Sequence, residues 1–176
     1  MKNLGTKLLK TDRLIIRKFE ESDALEVFNG YINQEKFLYY ANKKKMNLKE
    51  VEDLMKKISS SYNDSVYNWV IAKHDTKEIV GSINLKVQGN DVLFNYAIDD
   101  RFSSNGFMTE ALIAVRDFAL NKLHVDRIFG GCVKENVASR RVMEKSEFVY
   151  THTEENSKEL SNGMHDMLFF EIKRSE

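Results

Sequence analysis

The chain has 176 residues, enough to build one domain around a substantial core and too few for several of ordinary size. Lys plus Arg and Asp plus Glu number 27 each, so no net field draws the chain to nucleic acid or to an anionic membrane surface. A single cysteine, Cys132, excludes an internal disulfide and a CxxC zinc site, while apolar runs such as "ALIAV" (111–115) fall far short of a membrane span. The expectation is a soluble cytoplasmic protein of one domain over residues 1–176, with no nucleic-acid partner and no membrane partner.

Periodicity then predicts the elements in chain order. "RLIIRKF" (13–19) is rich in branched residues and suits a strand. "ESDALEVFNGY" (21–31) follows with Ser22 and Asp23 as capping candidates and with Leu25, Val27 and Phe28 near helical spacing. In 47–59, Leu48, Val51, Leu54, Met55 and Ile58 recur at i, i+3, i+4 and i+7 behind Asn47 as cap, which predicts a second helix with a solvated charged face. Two aliphatic runs around His74-Asp75-Thr76-Lys77 predict a hairpin, and the turn "QGND" (88–91) leads into a third strand of that meander, 92–98. The longest helical pattern spans 106–123, with Met108, Ala111, Leu112, Val115, Phe118, Ala119 and Leu123 on one face. A strand at 125–133, a short helix at 136–148, and strands near 148–155 and 164–173 about "NG" (162–163) complete the order βααβββαβαββ. That order is an α/β (α+β) fold, a mixed sheet of about seven strands packed with about four helices.

Chemistry concentrates where the strand 92–98 runs through a polar loop into the long helix. The first turn of a helix carries backbone N–H groups without intrahelical acceptors, and the helix dipole adds positive potential there, so such an end attracts phosphate. Gly106 lets the backbone adopt positive φ or approach a ligand closely, and Ser103, Ser104 and Thr109 offer hydroxyls. No GKS or GKT and no GxGxxG accompanies the glycine, so a nucleoside-triphosphate loop and a dinucleotide fold are not indicated. His74, His124, His152 and His165 have no ligand spacing, which leaves no metal site expected. Cys132 in its apolar stretch reads as a buried core thiol and Trp69 as core, although Trp69, Tyr39 and Tyr40 are also candidates for an acceptor cleft. Lys43-Lys44-Lys45 reads as a solvated loop.

Five segments, "TDRLIIRKFEESDA", "EIVGSINL", "NYAIDDRFSSNGFMTEAL", "VKENVASRRVMEKSEF" and "NGMHDMLFFEI", together resemble the GNAT acetyltransferases, in the branch that contains the ribosomal-protein N-terminal acetyltransferases. The resemblance implies acetyl-CoA as donor, a primary amine as acceptor, and a sheet splayed between its fourth and fifth strands to admit the pantetheine arm. It places Ser103, Gly106 and Met108 on the family's pyrophosphate loop, whose backbone donors here run from Ser104 through Asn105, Gly106, Phe107 and Met108 to Thr109. It implies a bulge in the fourth strand at Ala97 and Ile98, with a backbone N–H there for the oxyanion. Asn136 matches the asparagine that holds the pantetheine arm beside the reacting centre. Ser139, one turn on, becomes the candidate general acid or the anchor of a water that does that job.

Two positions depart from the family's pattern. Met143 stands where many members carry an acidic tyrosine, and Leu93 where many carry a glutamate that draws off the amine proton. No base is obvious: Asp99 reads as a loop cap and Tyr96 as a packing residue. Of the pair Arg140 and Arg141, Arg141 is the candidate for the cofactor's 3′-phosphate. The resemblance favours a protein N-terminal amine as acceptor, with a small amine such as a polyamine or aminoglycoside, or acyl-CoA binding without transfer, as the competing readings. Homodimers are common in that family, although no interface is legible in this sequence.

Overall fold

A computed structural model describes residues 1–174. Its eight strands are β1 (Leu9–Lys10), β2 (Leu14–Arg17), β3 (Tyr67–Lys73), β4 (Ile79–Gln88), β5 (Asp91–Ile98), β6 (Arg127–Val133), β7 (Val149–Leu160) and β8 (Gly163–Lys173). They form one sheet in the order β1-β2-β3-β4-β5-β6-β8-β7, antiparallel at every step except β5–β6. The helices are α1 (Ala24–Asn29), α2 (Glu35–Ala41), α3 (Leu48–Ser60), α4 (Phe107–Phe118) and α5 (Val137–Lys145). Seven strands and four helices occupy the positions that periodicity indicates. The additions are β1, whose two residues are too few to show alternation, and α2, which buries none of its residues and so has no inward stripe to read.

The two faces of the sheet are covered by different helices. On one, α4 lays Met108, Ala111, Leu112, Val115 and Phe118 against Trp69, Ile83 and Phe94, and the π turn Ala119–Leu123 continues the buried row. All seven residues expected on the inner face of that helix are buried. Trp69 is wholly buried in this core, its indole N–H donating to the Lys7 carbonyl at 2.7 Å, so it is not part of any cleft. On the other face Val51 and Met55 of α3 and Val27 of α1 pack against Val70, Ile79 and Ala97. Asn47 caps α3 as expected, accepting from the Glu50 N–H at 3.0 Å while the Glu50 carboxylate accepts from the Asn47 N–H at 2.7 Å. Leu25 is 58% exposed, contrary to expectation. Asp23 does not cap α1; its carboxylate grips the Arg17 guanidinium at 2.7 and 2.9 Å and accepts from the Glu20 N–H.

The sheet opens where β5 and β6 part. These strands pair over only three rungs, Asp91 to Leu93 against Arg127 to Phe129, and Arg127 ties that end shut by bridging Asp91 and Glu171. Beyond it the Phe94 ring fills the wedge so closely that a Cβ on Gly130 would lie 2.6 Å from it. Counted from β2, these are the fourth and fifth strands, the pair for which a splay is expected.

Candidate active site

A cavity of about 820 Å³ fills the splay. Its lining brings together Ala97, Ile98, Ser103, Ser104, Gly106, Met108, Thr109, Asn136, Ser139 and Arg141, residues drawn from 97 to 141 in the chain. Asn105 and Phe107 are not among them. The Asn105 carbonyl instead accepts from Arg13 Nη1 at 2.9 Å, and the Arg13 guanidinium lies 4.5 Å from the centre of the Phe107 ring. Arg140 is also outside the lining, 3.5 Å from the Glu144 carboxylate one turn along α5.

The loop ahead of α4 is shaped for an anion. Ser104 and Gly106 both have left-handed backbones, with φ of 65° and 77°, which turn the chain sharply into the helix. Gly106 is the N-cap and supplies no side-chain acceptor; the first bond inside the helix is from the Glu110 N–H to the Gly106 carbonyl, 3.0 Å. The amides of Phe107, Met108 and Thr109 therefore precede the helical ladder. Ser103 Oγ is buried and, among the described residues, has no hydrogen-bond partner. Arg141 and Lys145 add positive charge to the lining. Free amides, an orphaned hydroxyl and two cations together fit a diphosphate group.

From behind, the loop is held by residues that sequence reasoning missed. Glu110 accepts from Thr11 Oγ1 at 2.5 Å, from the Arg13 N–H at 3.1 Å and from Arg13 Nε at 2.6 Å. Burial alone would raise the pKa of Glu110, but the bonds from Thr11 and Arg13 outweigh it and hold the carboxyl below its ordinary range. The same guanidinium bonds the Asn105 carbonyl, so β2 and the turn before it fix where the loop sits. Nothing local in the sequence announces this, because 97 residues separate Arg13 from Glu110.

At the centre of the splay the chain presents a backbone donor. The Asp99 N–H donates to the Val80 carbonyl at 2.8 Å, and strand amides alternate in direction, so the Ile98 N–H turns toward the gap and the Ala97 N–H toward β4. The bulge expected at these residues is not there. Strand β5 pairs with β4 residue for residue from Asp91 to Ile98, and the irregularity sits on β4 instead, where the β3 partners jump from Gly81 to Ile79 past Val80. Gly81 at this point lies so near the Ala97 carbonyl that a Cβ would come within 2.1 Å of its oxygen.

Across the gap, α5 carries the other reactive groups. Asn136 caps the helix, its side-chain oxygen accepting from the Ser139 N–H at 3.2 Å, while its amide NH2 is available to a ligand. Ser139 Oγ lies 2.7 Å from the Tyr96 hydroxyl, which is also 3.0 Å from the Ser139 carbonyl oxygen. Tyr96 is thus more than a packing residue. The signal was present in its chemistry, since a phenol placed on the Phe94 face of β5 needs a polar partner once buried. Cys132 is buried as expected and also lines the cavity; burial raises its thiol pKa and the Ser139 hydroxyl lowers it, to about 11 in sum.

The departures from the family pattern have plain structural readings. Met143 is wholly buried in the core, so that position presents nothing to the cleft, and Leu93 forms the last rung with Phe129. Asp99 is fully buried and does cap its loop, accepting from the Arg101 N–H at 2.9 Å. Its desolvation is outweighed by bonds from the Arg101 guanidinium and Gln34, which lower its pKa and occupy its oxygens. Among the described residues Asp100 is the single carboxylate of the lining, 4.0 Å from Lys36 Nζ.

Residues 13–149 match the acetyltransferase (GNAT) domain family. The chain belongs to that family. The acetyltransferase is 28% identical over 145 residues to the uncharacterized N-acetyltransferase YoaA of Bacillus subtilis, covering 80% of this chain and 82% of that one. Its fold matches a GNAT-family acetyltransferase from Bacillus anthracis with a TM-score of 0.86 at 23% identity, covering 97% and 100% of the two chains. It also matches the spermidine N-acetyltransferase of Vibrio cholerae, solved with CoA and spermine, with a TM-score of 0.78 at 18% identity over 93% and 97%. Among the described residues no helix is long and apolar enough to cross a membrane.

Proposed function

We propose that this acetyltransferase moves the acetyl group of acetyl-CoA onto the primary amine of a peptide N-terminus, by direct attack in a ternary complex. The observation that carries the reading is the single cavity that joins the free amides before α4 to the Ile98 N–H and to Ser139. When bound, acetyl-CoA supplies the acetyl group as a thioester. The amides of 104–109, Ser103 Oγ and Arg141 hold its phosphates, and the Asn136 NH2 holds the arm that enters the splay. The Ile98 N–H, aimed into the gap, stabilises charge developing on the carbonyl oxygen. Ser139 Oγ gives its proton to the departing sulfur.

Charge distinguishes the acceptors. The lining offers Lys36 and Lys158 besides Arg141 and Lys145, against the one carboxylate Asp100, which Lys36 already faces. A polyamine, with several positive charges to neutralise, meets no free carboxylate here, whereas a peptide N-terminus brings one amine and its own polar backbone. With no carboxylate free to act as base, the amine attacks in its neutral form and its proton leaves to water. We infer that the chain acts as one catalytic domain in the cytoplasm.

A thiol-release assay over N-terminal peptides, spermidine and an aminoglycoside tests the acceptor, and turnover on spermidine above that on every peptide overturns it. Calorimetry with acetyl-CoA tests the pocket; binding without thiol release on any amine makes the protein an acyl-CoA binder instead. Ser139→Ala is expected to lower kcat by about a hundredfold, the usual worth of a general acid, with acetyl-CoA affinity nearly unchanged.

A further inference from the structure

The phenol of Tyr96 has one proton and faces two oxygens of the same residue, Ser139 Oγ at 2.7 Å and the Ser139 carbonyl at 3.0 Å. Two arrangements satisfy these distances. In one, the phenol donates to the carbonyl and Ser139 Oγ–H donates back to the phenol, which points the serine proton away from the cleft. In the other, the phenol donates to Ser139 Oγ, and the serine proton is free to point into the cleft. A neutral hydrogen bond contributes on the order of 1 kcal/mol, so a developing negative charge on sulfur is enough to select the second.

We infer that Tyr96 is a positioning residue that aims the Ser139 proton at the departing sulfur. The inference rests on Ser139 acting as the acid, as proposed above. In the step, the bond from the amine nitrogen to the acetyl carbon forms and the carbon–sulfur bond breaks. Sulfur receives the Ser139 proton, and the proton released by the nitrogen returns through water to Ser139 Oγ, leaving an amide and a free thiol. Tyr96 keeps its own proton throughout. Its burial, the largest influence on it, raises its pKa well above the ordinary phenol range, so it serves as a donor rather than a phenolate. The ring is held independently of the hydroxyl, since it stacks on Phe94 with centroids 6.0 Å apart and planes 6° from parallel.

Cys132 supplies a readout that needs no turnover. It is the chain's one cysteine, it lines the same cavity, and the Ser139 hydroxyl already lowers its thiol pKa. If Tyr96 turns the serine proton outward, Tyr96→Phe weakens the support that the Ser139 hydroxyl gives the thiolate, and iodoacetamide alkylates Cys132 severalfold more slowly at a fixed pH near 9, as in Ser139→Ala. If Tyr96 holds the serine proton inward, its removal frees that proton and alkylation speeds up. Slower alkylation supports the inference; faster or unchanged alkylation overturns it.

Kinetics separate its failure from that of the underlying reading. Tyr96→Phe is expected to lower kcat about tenfold, part of the worth of the acid it aims, with KM for acetyl-CoA within about twofold. The double variant Tyr96→Phe/Ser139→Ala should be no slower than Ser139→Ala alone. If Ser139→Ala leaves kcat unchanged, the reading of Ser139 fails and the inference with it. If Ser139→Ala slows turnover while Tyr96→Phe does not, or the two losses multiply in the double variant, only the inference fails. An unchanged thermal midpoint and acetyl-CoA affinity in Tyr96→Phe confirm that the fold is intact for these comparisons.

Discussion

Helices α4 and α5 both begin at the splay, and their first turns are treated in opposite ways. α4 opens on Gly106, which offers its amides no side-chain acceptor, whereas α5 opens on Asn136, whose side-chain oxygen takes the Ser139 N–H. One end is left unsatisfied and the other is closed by the chain itself. An unsatisfied helix end facing a cavity has a use for an external anion, while a capped end holds its side chains in place for chemistry. Under the function proposed above, the difference divides the work of one cavity: most phosphate contacts come from the backbone before α4, and the transferred proton comes from Ser139 on α5.

The sharpest way to break this contrast is to strain the open end. Gly106→Val forces a β-branched residue into φ of 77°, although the only atom a Cβ would approach is Arg13 Nη2 at 3.4 Å. The cost is therefore conformational, about 1–2 kcal/mol, and acetyl-CoA affinity measured by calorimetry should fall roughly tenfold or more. Unchanged affinity would show that the loop's left-handed turn is not needed for the ligand.

A smaller effect is expected at the capped end, where two substitutions separate its roles. Asn136→Ala loses the cap and should lower stability toward urea by about 1 kcal/mol. Asn136→Asp keeps an acceptor for the Ser139 N–H, so its stability should match the parent, yet it lacks the NH2 and should still bind acetyl-CoA more weakly. Parent-like binding by Asn136→Asp would mean that the asparagine only caps.

The smallest effect concerns the brace behind the open end. Because the folded-state pKa of Glu110 lies below its ordinary 4.5, the carboxylate contributes stability above that value and loses it as pH falls through the lower folded one. The thermal midpoint of the parent should therefore drop more steeply than that of Glu110→Gln between about pH 5 and pH 3. Parallel curves would remove Glu110 from the account of how the loop is held.

Local pattern made much of this legible. The inner face of α4, the Asn47 cap, the hairpin turns and the strand order are short-range consequences of periodicity and turn chemistry. The resemblance of five segments added the splay and the residues around it, and ten of the expected site residues do line one cavity. What it misplaced depends on contacts between distant residues. The irregularity expected in β5 lies on β4, and Asn105 and Phe107 turn toward Arg13 in the distant turn before β2. α2 escaped notice because it buries no face, and it is tied to the rest by polar contacts such as that of Tyr39 with Asn162, 123 positions away.

The sequence alone determined which segments become seven of the strands and four of the helices, that a glycine starts the long helix, and that an asparagine and a serine share one turn of the next. Spacing along the chain is enough for these, because backbone hydrogen bonding and side-chain periodicity act within a few residues. Tertiary structure alone decided that β5 and β6 part after three rungs, that Arg13 braces the loop, and that Tyr96 meets Ser139. Those facts depend on which surfaces pack together, and a contact across 43 or 97 positions leaves no periodic trace in the chain that makes it.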